Sequence, residues 1–483
     1  MKIWATAIAL AVLLCSPLMV HSQSWAPLKH QAPFLTPGTA LLLTDGSVMV
    51  QDSEAQDWWR LVPDNTGSYV NGKWQKLALM PANYGPLYYA SAVLADGRVV
   101  VAGGEYNIDG SSETNKAAIY DPRANTWKTL APPTNWSTIG DASSVVFPNG
   151  KMMISDIFTA RSAILDPKTL TWTVIAGNGK QDRNAEEGWT LLRDGTVLTA
   201  DAIAAPKAEK YVYQQQKWIS AGNTIVRLED PGSQELGPAV LRPDGTVFAT
   251  GANASGAGHT SVYTTPAKPG QPGTWKAGPD FPDNLDIADG PAALLPNGNV
   301  LCAASPGIFH PPGTRFFEWD GANLNEVPAT PNSPNISSFE GRMLLLPTGQ
   351  VMFTDGYQDI EIYTPVGSAD PSWAPTIASA PSTVTRGKTF VVSGTQFNGL
   401  SQANAYGDDA QSATNYPLVR LTNQATGHVF YARTHNHSTM AVATGSKTVS
   451  TRFDVPRGME TGPADLAVVA NGIASDAVTV TVQ

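Results

Sequence analysis

Seven copies of one short phrase constrain what this chain can fold into. Each copy is an apolar run, a turn glycine and a second apolar run. The copies are TALLLTDGSVMV around Gly46, ASAVLADGRVVV around Gly97, SSVVFPNGKMMI around Gly150 and GWTLLRDGTVLT around Gly195. PAVLRPDGTVFA around Gly245, PAALLPNGNVLC around Gly298 and RMLLLPTGQVMF around Gly349 complete the set. The intervals between these glycines are 51, 53, 45, 50, 53 and 51 residues. A hairpin recurring at roughly 50 residues is the signature of propeller blades, each a four-stranded sheet. The Asp-Gly and Asn-Gly pairs predict tight hairpins in which both residues tolerate positive φ. The flanking runs are apolar throughout because inner blade strands are covered on both faces.

The blades carry further regularities. Tyr120-Asp121-Pro122 and Leu165-Asp166-Pro167 end strands, and Trp127 and Trp172 each lie six residues past the Asp. With Trp218 and Trp275, these read as packing between blades. Ser24-Trp25-Ala26-Pro27-Leu28 resembles the outer-strand sequence around Trp127. It is expected to complete the last blade, closing the ring and covering an open sheet edge. After Tyr363-Thr364-Pro365 the period stops, and residues 374–483 read as short strands over 389–393, 418–422, 429–433, 451–455, 465–469 and 477–482. The predicted fold is all-β, with a propeller over 23–366 and an immunoglobulin-like (early-set) sandwich over 374–483. The 43 glycines and 37 prolines agree with it.

Residues 1–22 read as a signal peptide: Lys2, an apolar run from Ile3 to Val20, and cleavage after Ser22. Leu14 before Cys15 argues against lipidation. A secreted or periplasmic protein is expected, not an integral membrane protein once the signal is removed. Only Cys302 would then remain, so no internal disulfide can form, and its place in a blade strand suits a small core residue. The net charge of −10 without a Lys/Arg cluster excludes nucleic acid as a partner.

The repeat resembles the kelch motif, whose double glycine survives here at Gly103-Gly104. Four other copies place Asp at the same point: Asp52, Asp156, Asp201 and Asp355. A kelch-like ring followed by a sandwich is similar to the galactose oxidase and glyoxal oxidase family, most closely at Leu344-Leu345-Leu346-Pro347 and Tyr406-Gly407. That resemblance implies copper held by two histidines and two tyrosines, with a cysteine cross-linked to one tyrosine. The Tyr-His pair of the family falls on Phe339 and Glu340, and the sandwich histidine falls on Gln411. Tyr88 matches the cross-linked tyrosine, but Cys302 lies in the sixth blade and cannot be its partner. Copper-radical oxidation is therefore not expected, and no cofactor is assigned.

The repeat also supplies a common ruler. About nine positions before each turn glycine, where the channel mouth is lined, stand Pro37, Tyr88, Asp141, Glu186, Leu236, Asp289 and Glu340, with Tyr89, Glu187 and Glu235 adjacent. Five of the seven blades thus offer a carboxylate to one opening. These acids either bond to nearby backbone N–H groups and lock the blades, or form a convergent site for a hard cation such as Ca²⁺ or for sugar hydroxyls. Asp408-Asp409-Ala410-Gln411 is placed to plug the ring or to reach a ligand through Asp409 and Gln411. His435 and His437 would share one face if they lie on a strand, as a metal pair or as hydrogen-bonded histidines at the domain seam. The expected function is recognition of a carbohydrate or cell-surface ligand at the acidic mouth without oxidase activity. The alternatives are a glycan-cleaving hydrolase or lyase using the same carboxylates, or a divergent carbohydrate or alcohol oxidase. Sialidase boxes are missing from the blades.

Overall fold

The computed structural model describes residues 22–409 and 411–483. The expected signal peptide, save for Ser22, lies outside the described residues. Seven four-stranded antiparallel blades follow one another around an axis. Their innermost strands are Pro37–Leu42, Ala90–Val93, Ser144–Val146, Thr190–Leu191, Leu236–Leu241, Ala292–Leu294 and Arg342–Leu345. Among the described residues there are short 3-10 turns and no α-helix, and no helix is long and apolar enough to cross a membrane.

The first strand of the chain closes the ring. Ser24–Pro27 pairs antiparallel with Glu361–Thr364, as the outer strand of the seventh blade. Trp25 packs against Phe316 and Tyr363 with ring centroids 4.9 Å away in each case. Its indole N–H donates to the Pro328 carbonyl of the sixth blade at 2.6 Å. The same outer-strand device recurs around the ring. Trp74 donates to His30, Trp127 to Ala78, Trp172 to Ala131 and Trp275 to Ala221, each at 3.0–3.1 Å. These tryptophans weld five of the blades to the one before, combining apolar area with one directed bond; in the fourth blade Trp218 is buried without such a bond.

The hairpins are tighter in sequence logic than expected. Only the glycine takes positive φ, between 76° and 90° in all seven copies. Gly46 N–H donates to the Leu43 carbonyl, Leu43 N–H donates to the Ser47 carbonyl, and the Asp45 carboxylate accepts from Ser47 N–H. Asp96, Asn149, Asp194, Asp244 and Asn297 accept from the matching N–H groups. This is a type I turn closed by a glycine bulge, not a two-residue primed turn. The acid or amide is selected as an acceptor for the N–H two residues on, not for left-handed backbone.

The turns form the face opposite the mouth, and the C-terminal domain docks there. Thr434 N–H donates to the Thr44 carbonyl, His437 N–H to Ala95 and Met440 N–H to Pro148, so residues 434–440 run across the turns of the first three blades. A Cβ at Gly46 would overlap the Tyr431 ring. The C-terminal domain is a nine-stranded sheet curled into a half-barrel with a sandwich-like core of Val392, Val419, Leu421, Phe453, Leu466 and Val480. Val429–His435 makes the fold-over: Val429–Ala432 pair with one neighbour and Arg433–His435 with the other. Cys302 is fully buried in the sixth blade, as expected of a core residue.

Replacing Trp25 with Ala removes the closing anchor. It is expected to lower stability by about 2–4 kcal/mol, measured by chemical denaturation; a loss below about 0.5 kcal/mol would mean that closure does not depend on this strand.

Candidate binding site at the mouth of the propeller

The channel is filled from the docking side by residues 398–409 and 411–416 of the C-terminal domain. Asn404–Ala405 pair with Ala292–Ala293 and extend the sixth blade inward. The Gln402 side-chain carbonyl accepts from Leu191 N–H at 2.7 Å, and that of Asn404 accepts from Leu345 N–H at 2.8 Å. The Tyr416 hydroxyl donates to the Leu42 carbonyl. The plug therefore satisfies inner-strand groups of the first, fourth, sixth and seventh blades that a bare channel would leave to water. At its tip, Gly407 passes so close to Asp289 and Gly188 that a side chain at either glycine would collide.

Above this tip lies a cavity of about 370 Å³. Its floor and walls carry Glu105, Asp141, Glu186, Glu235, Asp289 and Asp408; its aromatic lining is Tyr88, Tyr106, Phe309, His310 and Phe339. Tyr88 and Tyr106 meet edge to face at 6.2 Å, as do Phe309 and Phe339 at 4.9 Å. Tyr106 is 47% exposed, which leaves it free to contact a ligand. Tyr88, Ala185 and Asp289 take left-handed backbone just ahead of their inner strands, at φ values that cost non-glycine residues energy and recur at functional sites.

One guanidinium sits beneath the acids. Arg342, buried, donates to the Phe339 and Gly341 carbonyls at 2.7 and 2.8 Å. It lies 3.7 Å from the Tyr406 ring centroid and 5.3 Å from that of Tyr88. Tyr406 donates to the Phe339 carbonyl at 2.6 Å. Asp409 accepts from Tyr89 N–H at 2.6 Å, and Arg342 is near enough to pull back part of its burial-driven pKa rise. Several carboxyl oxygens accept from no N–H or hydroxyl donor: Asp141 Oδ1, Glu235 Oε2, Asp289 Oδ1, Asp408 Oδ2 and Asp409 Oδ1. Glu235 and Asp289 instead share a hydrogen bond, as do Glu186 and Asp408. Burial and mutual repulsion hold the carboxyls of Asp141, Asp408, Glu235 and Asp289 well above the usual range. Glu186 and Glu113 are both pushed up to about 7, chiefly by burial.

The ruler read from the repeat thus brings Tyr88, Asp141, Glu186, Glu235 and Asp289 together. It fails elsewhere. Glu340 is exposed and accepts from Ser337 N–H at 2.7 Å, capping its own 3-10 turn; Phe339 takes its place in the cavity wall. Glu187 points away from the cavity into a buried cluster around Lys180, whose ammonium lies 2.7 Å from Asp182, 2.8 Å from Glu187, 3.1 Å from Glu209 and 3.9 Å from Asp201. Tyr89 is buried with its hydroxyl on Gln51. Gln411 is also buried and donates to the Asp408 carbonyl at 3.0 Å.

The histidine pair does not share a strand face: the strand ends at His435, and Asn436 turns with φ of 52°. His435 meets Asp454 and His437 meets Thr451, so both are hydrogen-bonded at the seam. Glu105, Glu113 and Arg342 were not readable as site residues. Glu105 directly follows Gly103-Gly104, the one signal that could have found it.

A kelch motif matches residues 86–134. No curated protein sequence matches the chain. Among solved structures, a fungal alcohol oxidase of the AA5 family in complex with copper covers 96% of this chain and 100% of its own, at 14% identity and a TM-score of 0.55. Virginiamycin B lyase from Staphylococcus aureus with quinupristin covers 71% of this chain and 99% of its own, at 10% identity and a TM-score of 0.49. The chain has the kelch-type, galactose-oxidase-like propeller fold.

The acid cluster sets a pH dependence. Its carboxyls have folded pKa values above the ordinary 3.8 and 4.5, so protonation favours the folded state. That contribution is complete below about pH 4 and is lost as pH rises through about 7, where Glu186 and Glu113 titrate. Facing groups are Glu105, Asp141, Glu235, Asp289, Asp408, Asp409 and Arg342. In metal-free buffer the thermal midpoint is expected to fall from pH 5 to pH 8, and to fall less in Glu186→Gln. A midpoint that rises over this interval would contradict the assignment.

Proposed function

We propose that this is an exported recognition protein that binds a carbohydrate in the acidic, aromatic-lined cavity and performs no copper-radical chemistry. The observation that carries the reading is the set of buried carboxyl oxygens that accept from no N–H or hydroxyl donor, facing a cavity edged by Tyr88, Tyr106, Phe309 and Phe339. A carboxyl accepts hydrogen bonds when ionised and also donates one when protonated, so the complementary ligand must offer donors and acceptors together. A sugar offers hydroxyl donors around its edge and an apolar C–H face, which packs on aromatic rings. Anionic sugars are disfavoured because they would add charge to an already acidic site.

The residues do not fit a copper-radical centre. Phe339 cannot ligate, Glu340 is turned onto its own backbone, and Gln411 is bonded to the plug. Cys302 lies in the buried core of the sixth blade, with its thiol against the Phe317 carbonyl. Burial raises the pKa of both Tyr88 and Tyr406, keeping them as phenols. The cavity's donors are mainly hard oxygens, unlike the imidazole and phenolate set that the resemblance implies.

A second reading has one observation in its favour. Glu235 and Asp289 are adjacent, and burial with the neighbouring charge drives Glu235 strongly towards the protonated form. Two carboxyls pushed apart in this way are the groups that a glycan-cleaving enzyme uses as acid and base. Polysaccharide turnover abolished by Glu235→Gln would favour cleavage over binding.

A glycan array read with the purified protein is expected to show neutral or amino sugars and no uronic or sialic acids. Tyr106→Ala is expected to weaken binding about tenfold, equivalent to about 1.4 kcal/mol, without changing the thermal midpoint. No binding to any neutral or amino glycan, or peroxide production from primary alcohols by copper-loaded protein, would overturn the reading.

A further inference from the structure

Among the described residues, two groups of acidic side chains have ligand atoms close enough to share one ion. In the first, oxygens of Asp182, Asp201 and Glu209 lie within 4.8 Å of one another. This group already has its cation, because Lys180 Nζ sits among them with all four surrounding carboxylates within 3.9 Å. The second group is Asp141, Glu186 and Asp408, again with oxygens within 4.8 Å of one another. No lysine enters it. Arg342 lies against Asp409 and Asp289; among the described residues no basic group forms a salt bridge with the trio, and Arg183, bonded to Gln234, acts on Glu186 through its charge.

A second observation points to a ligand here. Asp141 lines the cavity and is 9% exposed, yet its buried Oδ1 has no hydrogen-bond partner. Asp408 is 2% exposed; its Oδ1 accepts from Asp409 N–H at 2.7 Å, and beyond that its side chain meets the Glu186 carboxyl, which is an acceptor once ionised. Leaving such oxygens unpaired out of water costs on the order of 1–3 kcal/mol each, and more when they are charged. The blade-4 cluster shows how this fold offsets a comparable set of buried acids: it supplies a cation, even though Asp201 accepts no hydrogen bond there.

We propose that Asp141, Glu186 and Asp408 form a site for one hard divalent cation of the Ca²⁺ class. Ca²⁺ binds oxygen at about 2.3–2.6 Å, so two ligand oxygens on opposite sides of it stand at most about 5 Å apart, which agrees with the separations in the trio. Three carboxylates leave several of its six to eight positions to water or ligand hydroxyls, and the adjoining cavity has room for both. Asp141 precedes the inner strand of the third blade, Glu186 that of the fourth, and Asp408 rides on the plug from the C-terminal domain. A bound cation therefore clasps the plug tip to two blades and presents its open positions to the mouth. The inference does not depend on a sugar being bound.

The test is calorimetric titration of CaCl2, MgCl2 and MnCl2 into chelator-treated, full-length protein with no glycan present, paired with thermal melts. One equivalent of Ca²⁺ is expected to bind and raise the midpoint. Asp141→Asn and Asp408→Asn should each weaken binding by at least the roughly 10–100-fold that loss of a supporting contact costs at metal sites. Asp408→Asn should still give a cooperative melt without metal, which shows that the variant folds. Asp201→Asn, in the Lys180 cluster, should bind as the parent does. No heat and no midpoint shift with any of the three cations would overturn the inference. So would binding that survives both mouth variants or vanishes in Asp201→Asn.

Discussion

Everything at the mouth depends on the ring being closed by its own first strand. Ser24–Pro27 completes the seventh blade, and Trp25 reaches across to the sixth. A closed ring leaves only short, protected sheet edges, and its inner strands are held at fixed spacing about an axis. Residues equivalent by repeat then become neighbours in space, although they lie roughly 50 positions apart in sequence. An acid just ahead of the inner strand, repeated in successive blades, becomes a cluster instead of a scatter of surface charge.

The axis itself is the second constraint. A seven-bladed channel exposes inner-strand polar groups, and this chain satisfies several of them with side chains of a loop from the C-terminal domain. The same loop carries Asp408 and Asp409 to the tip, adding acids to those of the blades. The result is unequal treatment of two similar clusters. Around Lys180 the protein encloses four carboxylates with an internal ammonium; at the mouth it sets carboxyls against one another beside a cavity. The first arrangement is structural and self-contained, whereas the second is complementary to something that brings protons, hydroxyls or positive charge.

Much of this was legible before the structure, because a repeat converts sequence position into spatial position. The period fixed the blades, the Trp25 phrase identified the closing strand, and counting back from the turn glycines reached Tyr88, Asp141, Glu186, Glu235 and Asp289. Counting failed where local backbone departs from the repeat. Ser337–Glu340 winds into a 3-10 turn that folds the Glu340 carboxylate onto Ser337 N–H, moving Phe339 into the wall. Glu187 sits one residue beyond Glu186 and so faces the blade interior instead of the channel. His435 and His437 would share a face only on a strand running to His437, and this strand ends two residues earlier. Arg342 was hidden for another reason: nothing in a strand-start arginine reveals that two tyrosines, one from each domain, will bracket it.

The fold is shared with copper oxidases, but the mouth of this propeller is built mainly from hard oxygen donors. Elemental analysis of the purified protein, after equilibration with equimolar calcium and copper and removal of loose metal, tests that difference most directly. The account predicts close to one equivalent of calcium and no retained copper. Stoichiometric copper with no calcium would contradict it.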